Sequence, residues 1–268
     1  MRHHRFILLS LLPLTSFASS APDFKATFES RNACFIISDL STGKVVQAYN
    51  QKLCAERLSP CSTFKVAAAL MAFEKGILKD DHQIVKWDGT HYDRKELNQD
   101  QSPYDWMSNS VMWVTQWITP QLTLPTIQKF LKDFNYGNQD FSGGITQAWV
   151  DSTLKISAKE ELRFISDLWQ EKLPVSKRTI ELTKKIIYIG KVGNTSDLFG
   201  KTGTGCMDAG CMKHVGRMLG RFYGVVTTGQ KTYAIAATSI DTVPEKIPAG
   251  PRLRKTLEKI MLDTEVAK

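Results

Sequence analysis

The chain has 268 residues, 42% of them hydrophobic and 23% charged, with a formal net charge of +8. That length and apolar content can bury a sizeable core as one unit or two closely joined lobes, and they exclude a disordered or repeat-built chain. Lys and Arg are scattered among Asp and Glu with no basic run, which argues for a solvated basic surface and against a nucleic-acid partner.

In chain order, Arg2-His3-His4-Arg5 precedes an apolar run from Phe6 to Leu14 and then the small residues Ser16, Ala18, Ser19, Ser20 and Ala21. A basic start, a short apolar stretch and a small-residue zone predict a secretory signal over residues 1–20, cleaved between 18 and 21 and too short to span a bilayer. Its removal takes Arg2 and Arg5 away and leaves no membrane anchor. Residues 33–50 predict a strand hairpin turning at Ser41-Thr42-Gly43. Residues 62–75 predict an alanine-rich helix stopped by Gly76, and 125–134 another ended near Gly137. Ser157-Ala158-Lys159-Glu160 is a capping box that opens a helix toward Gln170, and 176–187 predicts a further helix. Strands return over 198–204, 220–227 and 233–240, and a helix closes the chain from about Pro251. Strands at both ends with helices between predict an α/β plus all-α architecture: a discontinuous α/β domain, 21–75 and 190–268, with a helical domain inserted over 76–189.

Five cysteines in an exported chain invite disulfides and leave at least one thiol unpaired. Folding the first hairpin back brings Cys34 toward Cys54. Cys206 and Cys211 flank Met-Asp-Ala-Gly, a turn composition that could bridge them, and Cys61 is left as the buried free thiol. A metal cluster of Cys206, Cys211 and His214 competes with the second bridge but lacks a clear fourth ligand.

The chemistry is concentrated in Ser62-Thr63-Phe64-Lys65 and Lys201-Thr202-Gly203. Residues three apart share a helix face, so Ser62 Oγ and Lys65 Nζ can meet, a nucleophile beside its base. The helix start adds free N–H groups and partial positive charge where an oxyanion would develop. S-x-x-K alone also describes a helix N-cap followed by an exposed lysine. Ser110-Val111-Met112 and Tyr136-Gly137-Asn138, lying between the two motifs, argue against coincidence. A first S-x-x-K, then a second serine motif, then K-T-G is the order found in penicillin-recognising serine enzymes.

With these elements the chain resembles the class D serine β-lactamases, or oxacillinases. The match runs over nearly the whole mature chain and includes Lys86-Trp87-Asp88-Gly89, Gln147-Ala148-Trp149, Ile156-Ser157 and Leu253-Arg254-Lys255. The resemblance implies the serine β-lactamase and penicillin-binding fold, an antiparallel sheet flanked by helices with an inserted helical domain and the site between the lobes. It implies hydrolysis of β-lactam antibiotics, and with it resistance, through a Ser62 acyl-enzyme in the periplasm. Lys65, N-carboxylated by CO2 or bicarbonate, would be the general base for acylation and deacylation, and Trp149 would shield and hydrogen-bond the carbamate. Ser110 would relay a proton to the departing ring nitrogen. The backbone N–H groups of Ser62 and Thr204 would form the oxyanion hole. Lys201, Thr202 and Arg254 would hold the substrate carboxylate, the register of Leu-Arg-Lys favouring Arg254 over Arg252, and Gly203 would let the substrate pass close to its strand. No dissociable cofactor or metal is expected, and the chain is expected to be a monomer or weak homodimer.

Two positions depart from the family pattern: Met112, where valine is usual, and Arg221, where many members carry tryptophan. Two rival readings share the motif order. A non-hydrolytic β-lactam sensor would retain the acyl group, but such sensors hang from transmembrane helices. A D,D-peptidase would lack Tyr136-Gly137-Asn138 followed by Trp149. His82, His91 and His214 show no zinc-hydrolase spacing.

Overall fold

The computed structural model describes residues 22–150, 152–208, 216–229 and 231–267, so the proposed leader lies outside the described residues. The strands are β1 (Arg31–Asp39), β2 (Val45–Tyr49), β3 (Tyr188–Val192), β4 (Ser196–Cys206), β5 (Met218–Thr228) and β6 (Lys231–Asp241). The described helices are α1 (Phe24–Thr27), α2 (Phe64–Glu74), α3 (Pro103–Ser108), α4 (Met112–Leu122), α5 (Leu124–Asp133), α6 (Ala158–Trp169), α7 (Lys177–Ile186) and α8 (Ala249–Asp263).

All six strands form one antiparallel sheet in the order β2-β1-β6-β5-β4-β3, as the expected fold requires. The central strands β1, β5 and β6 are buried almost throughout, because helices cover both faces. On one face α8 presents Leu253, Leu257, Ile260 and Met261 to Phe35, Ile37, Phe222 and Ile235. On the other, α6 lies against β1, β5 and β6 although its sequence falls within the 76–189 segment. Beyond it, α2 is buried along Phe64–Phe73. A helix apolar all round belongs in a core, and α2 contacts α4 and α7 there.

Four of these elements were not predicted, among them the short α1. The helix α4 carries Pro120 in its interior, which reads as a helix breaker but falls in its last turn. The helix α3 is a short segment with a capping box of Ser102 and Asp105, and β3 is a five-residue edge strand. The nucleophile motif also differs slightly from expectation: Cys61–Thr63 form a 3-10 turn, and α2 begins at Phe64. The closing helix starts at Ala249, so Pro251 falls in its first turn, where its missing N–H costs nothing.

Cys34 and Cys54 are joined, tying β1 to the 3-10 turn after β2, and Cys61 is buried with its Sγ donating to the Ser59 carbonyl at 3.6 Å. Cys206 is also disulfide-bonded, while Cys211 and His214 lie outside the described residues. Among the described residues no cluster of three His, Cys, Asp or Glu could hold a metal, and no helix is long and apolar enough to cross a membrane.

Candidate active site

Ser62 stands at the mouth of α2, on a turn whose backbone is held from three sides. Cys61 has a left-handed backbone (φ 52°), which a non-glycine residue keeps only when its surroundings enforce it. Its N–H donates to the Trp149 carbonyl at 3.0 Å, and the Ser59 hydroxyl donates to the same oxygen at 2.8 Å. One residue beyond Ser62, the Thr63 carbonyl accepts from Tyr223 Oη at 3.0 Å. The turn thus aims a half-buried serine from a rigid backbone.

One helical turn on, Lys65 Nζ lies 3.2 Å from Ser62 Oγ, and the side chain is fully buried. Burial pulls the Lys65 amine down to about 7, with the Cys61 thiol pulling weakly the other way. A lysine in this state is a base near neutral pH, which an exposed lysine at its ordinary value is not. Its chain neighbour Phe64 packs with Phe141 and Trp149 in stacked or tilted rings. The Trp149 indole N–H is buried and has no hydrogen-bond acceptor among the described residues. A buried donor left unpaired in a native core calls for an occupant.

Tyr136-Gly137-Asn138 explains how Trp149 is presented. Gly137 has φ 55°, and a Cβ there would sit 2.1 Å from the Lys155 carbonyl. Asn138 exchanges backbone and side-chain bonds with Lys155 and donates to the Thr153 carbonyl. The motif therefore fastens the segment after Trp149, and Leu58 and Ile156 bond to each other to close it onto the nucleophile turn.

Ser110 lies in the turn between α3 and α4, left-handed at φ 58°, its N–H donating to the Met107 carbonyl at 3.3 Å. Met112 is the first residue of α4 and packs against the main core.

The K-T-G strand passes in front of the turn. The pairing of β3 with β4 ends at Tyr188 and Phe199, and Gly200 N–H donates to Ile187. From Lys201 to Cys206 that edge has no strand neighbour among the described residues. Amides alternate along a strand, so the N–H groups of Thr202 and Thr204 point to the same open edge as that of Gly200. The Thr204 hydroxyl faces the opposite layer and accepts from Gly250 N–H of α8 at 3.0 Å.

Gly203 is also constrained by its packing. A Cβ on it would meet the Pro60 carbonyl at 2.9 Å and the Cβ atoms of Arg221 and Cys61 at 3.2 and 3.3 Å. The missing side chain thus makes room for the nucleophile turn.

Lys201, Thr202 and Arg254 line one cleft of about 120 Å³. Lys201 is held well below its ordinary value, first by burial and then by the positive charges of Lys65, Arg254 and Arg94. Arg254 pairs with Glu258 on its own helix at 3.3 Å, a half-buried tie that a bidentate anion could replace. Arg252 is committed elsewhere, to Asp241 and the Ile247 carbonyl. The same cleft is lined by Tyr104, Met107, Ile187 and Tyr188, which sequence reasoning missed. No periodicity marks them, since they come from α3 and the entry to β3.

Comparison with known proteins agrees with this geometry. Residues 28–258 match the penicillin binding protein transpeptidase domain family. The chain is 40% identical over 210 residues to β-lactamase OXA-1 of Escherichia coli, covering 75% of each. It superposes on the class D β-lactamase BAT-2 with a TM-score of 0.82 at 30% identity, covering 94% of this chain and all of that one. It also superposes on the C-terminal domain of the Bacillus licheniformis BlaR penicillin-receptor, with a TM-score of 0.83 at 30% identity over 92% of this chain and 96% of that one. Fold, motif order and sequence identity agree, and the chain belongs to the class D β-lactamase family.

Proposed function

We propose that the protein hydrolyses β-lactams through acylation of Ser62, with Lys65 as the general base. The observation that carries this reading is the buried Lys65 amine, lowered to about 7 and 3.2 Å from Ser62 Oγ. Ser62 Oγ gives up its proton toward Lys65 and bonds to the lactam carbonyl carbon. The developing oxyanion is met by the N–H groups of Ser62 and Thr204, the first at a helix start and the second on an open strand edge. As the ring C–N bond breaks, Ser110 passes a proton to the nitrogen. Lys201, Thr202 and Arg254 hold the substrate carboxylate, and water then cleaves the Ser62 ester.

The residues around Lys65 fit a carbamate. A neutral buried amine can take up CO2, and the unpaired Trp149 indole N–H is a ready donor to an anionic oxygen. When bound, CO2 on Lys65 would supply an anionic base for Ser62 and then for water. The proposal extends to export to the periplasm after removal of residues 1–20 and to β-lactam resistance for the producing cell.

The likeness to the BlaR receptor domain supports a second reading, a sensor that acylates and stops. Mixing the mature protein with a chromogenic β-lactam, with and without bicarbonate, and following product and intact mass separates the two. Many turnovers, rising with bicarbonate and absent in Ser62→Ala, are expected. One equivalent of acyl-protein that persists even with bicarbonate would establish the sensor, and no acylation would overturn the assignment of Ser62.

A further inference from the structure

Beneath the nucleophile turn lies a charged pair that the reaction itself does not use. Glu161 of α6 and Arg221 of β5 meet at 2.6 Å, Oε2 to Nη2, and both side chains are fully enclosed. Desolvating two charges is expensive, and a well-packed apolar pair of similar volume is generally as stable or more so. Stability alone is therefore a poor account of this pair, whereas its other bonds are directional.

Glu161 Oε1 lies 2.7 Å from Thr63 Oγ1, and that hydroxyl is also 2.7 Å from the Pro60 carbonyl. The single proton of that hydroxyl is shared between the two acceptors, linking the pair to the backbone around Ser62. Arg221 donates to the Ile156 carbonyl at 3.1 Å, fixing the segment that closes onto residues 58–61. Arg221 stands opposite Gly203 in the β4–β5 ladder, and its Cβ limits what Gly203 can carry. The next residue but one on the same strand, Tyr223, holds the Thr63 carbonyl. The two amides assigned to the oxyanion, on Ser62 and Thr204, therefore each lie one residue from a group this pair touches.

We propose that the Glu161–Arg221 pair is a positioning device: through Thr63 and Gly203 it fixes the distance between the nucleophile turn and the K-T-G strand, and so the geometry of acylation. This rests on the reading of Ser62 as the acylated residue. Neither side chain touches substrate. Misplacing a reacting group by about 1 Å costs on the order of 100-fold in rate, so a rigid spacer here is worth its burial.

The test compares Thr63→Val, which keeps the shape but removes the hydroxyl, with Thr63→Ser, which keeps the hydroxyl. A third variant is the double Glu161→Met/Arg221→Met, which replaces the pair by apolar volume. Single-turnover acylation by a chromogenic β-lactam is resolved into encounter affinity and acylation rate constant, and thermal melting is followed in parallel. Thr63→Val is expected to lower the acylation rate constant about 10-fold or more, with encounter affinity within about twofold, and Thr63→Ser to recover it to within about threefold. The double variant is expected to melt no lower than the parent and yet to share the acylation loss. Unchanged acylation in Thr63→Val would overturn the proposal. So would a double variant, stable and folded, that acylates at the parental rate. If the double variant does not fold, the Thr63 pair decides alone. A parent protein that fails to acylate would sink the Ser62 assignment instead, a different outcome.

Discussion

At the scale of the residue, Lys65 shows an active group held at the expense of the fold. Its amine is buried, with no carboxylate paired to it among the described residues, and lowered from 10.5 to about 7. The unfolded chain binds that proton at any pH below 10.5, whereas the folded protein gives it up above about 7. Stability is therefore depressed most at pH 7 and below, and recovers as the pH rises toward 10.5. Lys65→Met is expected to abolish turnover while raising stability at pH 7 by on the order of 3 kcal/mol, an advantage that vanishes above pH 10.5. Denaturant melts at pH 7 and pH 10.5 check this, and equal gains at both would mean that packing, not charge, is responsible. In the parent, without added bicarbonate, the acylation rate is expected to fall as the pH drops through about 7, because protonated Lys65 cannot accept the Ser62 proton. A flat rate between pH 6 and 8 would rule out the amine as base.

At the scale of the element, the contact between β4 and the nucleophile turn governs the site, and Gly203 is its narrowest point. Gly203→Ala places a Cβ 2.9 Å from the Pro60 carbonyl, so turn and strand must move apart. Acylation is expected to slow at least about 10-fold, with a stability loss of about 1–3 kcal/mol. A variant as fast as the parent would show the contact to be slack. The same contact shows what the sequence made legible. That Ser62 and Lys65 can meet was readable because residues three apart share a helix face, but that they and Lys201-Thr202-Gly203 carry chemistry was readable only from the order of the motifs along the chain. What Gly203 approaches was not readable, since the turn lies some 140 residues earlier in the chain. The pairing of Glu161 with Arg221 was hidden for the same reason: Glu161 carried no signal of its own, and Arg221 stood out only as a departure from the family's tryptophan. Burial of a charge pair depends on elements that no local period connects. The helix α4 was lost for a local reason, its Pro120, and because its partly apolar surroundings leave little amphipathic signal.

At the scale of the whole molecule, the disulfide and the sheet order set how the parts depend on one another. Cys34–Cys54 closes a 20-residue span between β1 and the turn after β2, away from the residues that line the cleft. Cys34→Ala with Cys54→Ala is expected to lower stability by about 2–4 kcal/mol while leaving turnover at 25 °C within about twofold. A large loss of turnover in protein that is still folded would tie the bridge to the site. The order β2-β1-β6-β5-β4-β3 has a further consequence for a chain that is made from one end. The last strand, β6, slots between the first hairpin and β5, so the earliest and latest segments of the chain are neighbours. Ser62 and Lys65 leave the ribosome long before Tyr223, Arg221 and Arg254, the groups that brace the turn and line the cleft. The site is thus completed by its own C-terminal third: a nascent or truncated chain carries the nucleophile and its amine but not the frame that arms them. On the proposed route of export, a chain that crosses the membrane before folding would travel unarmed.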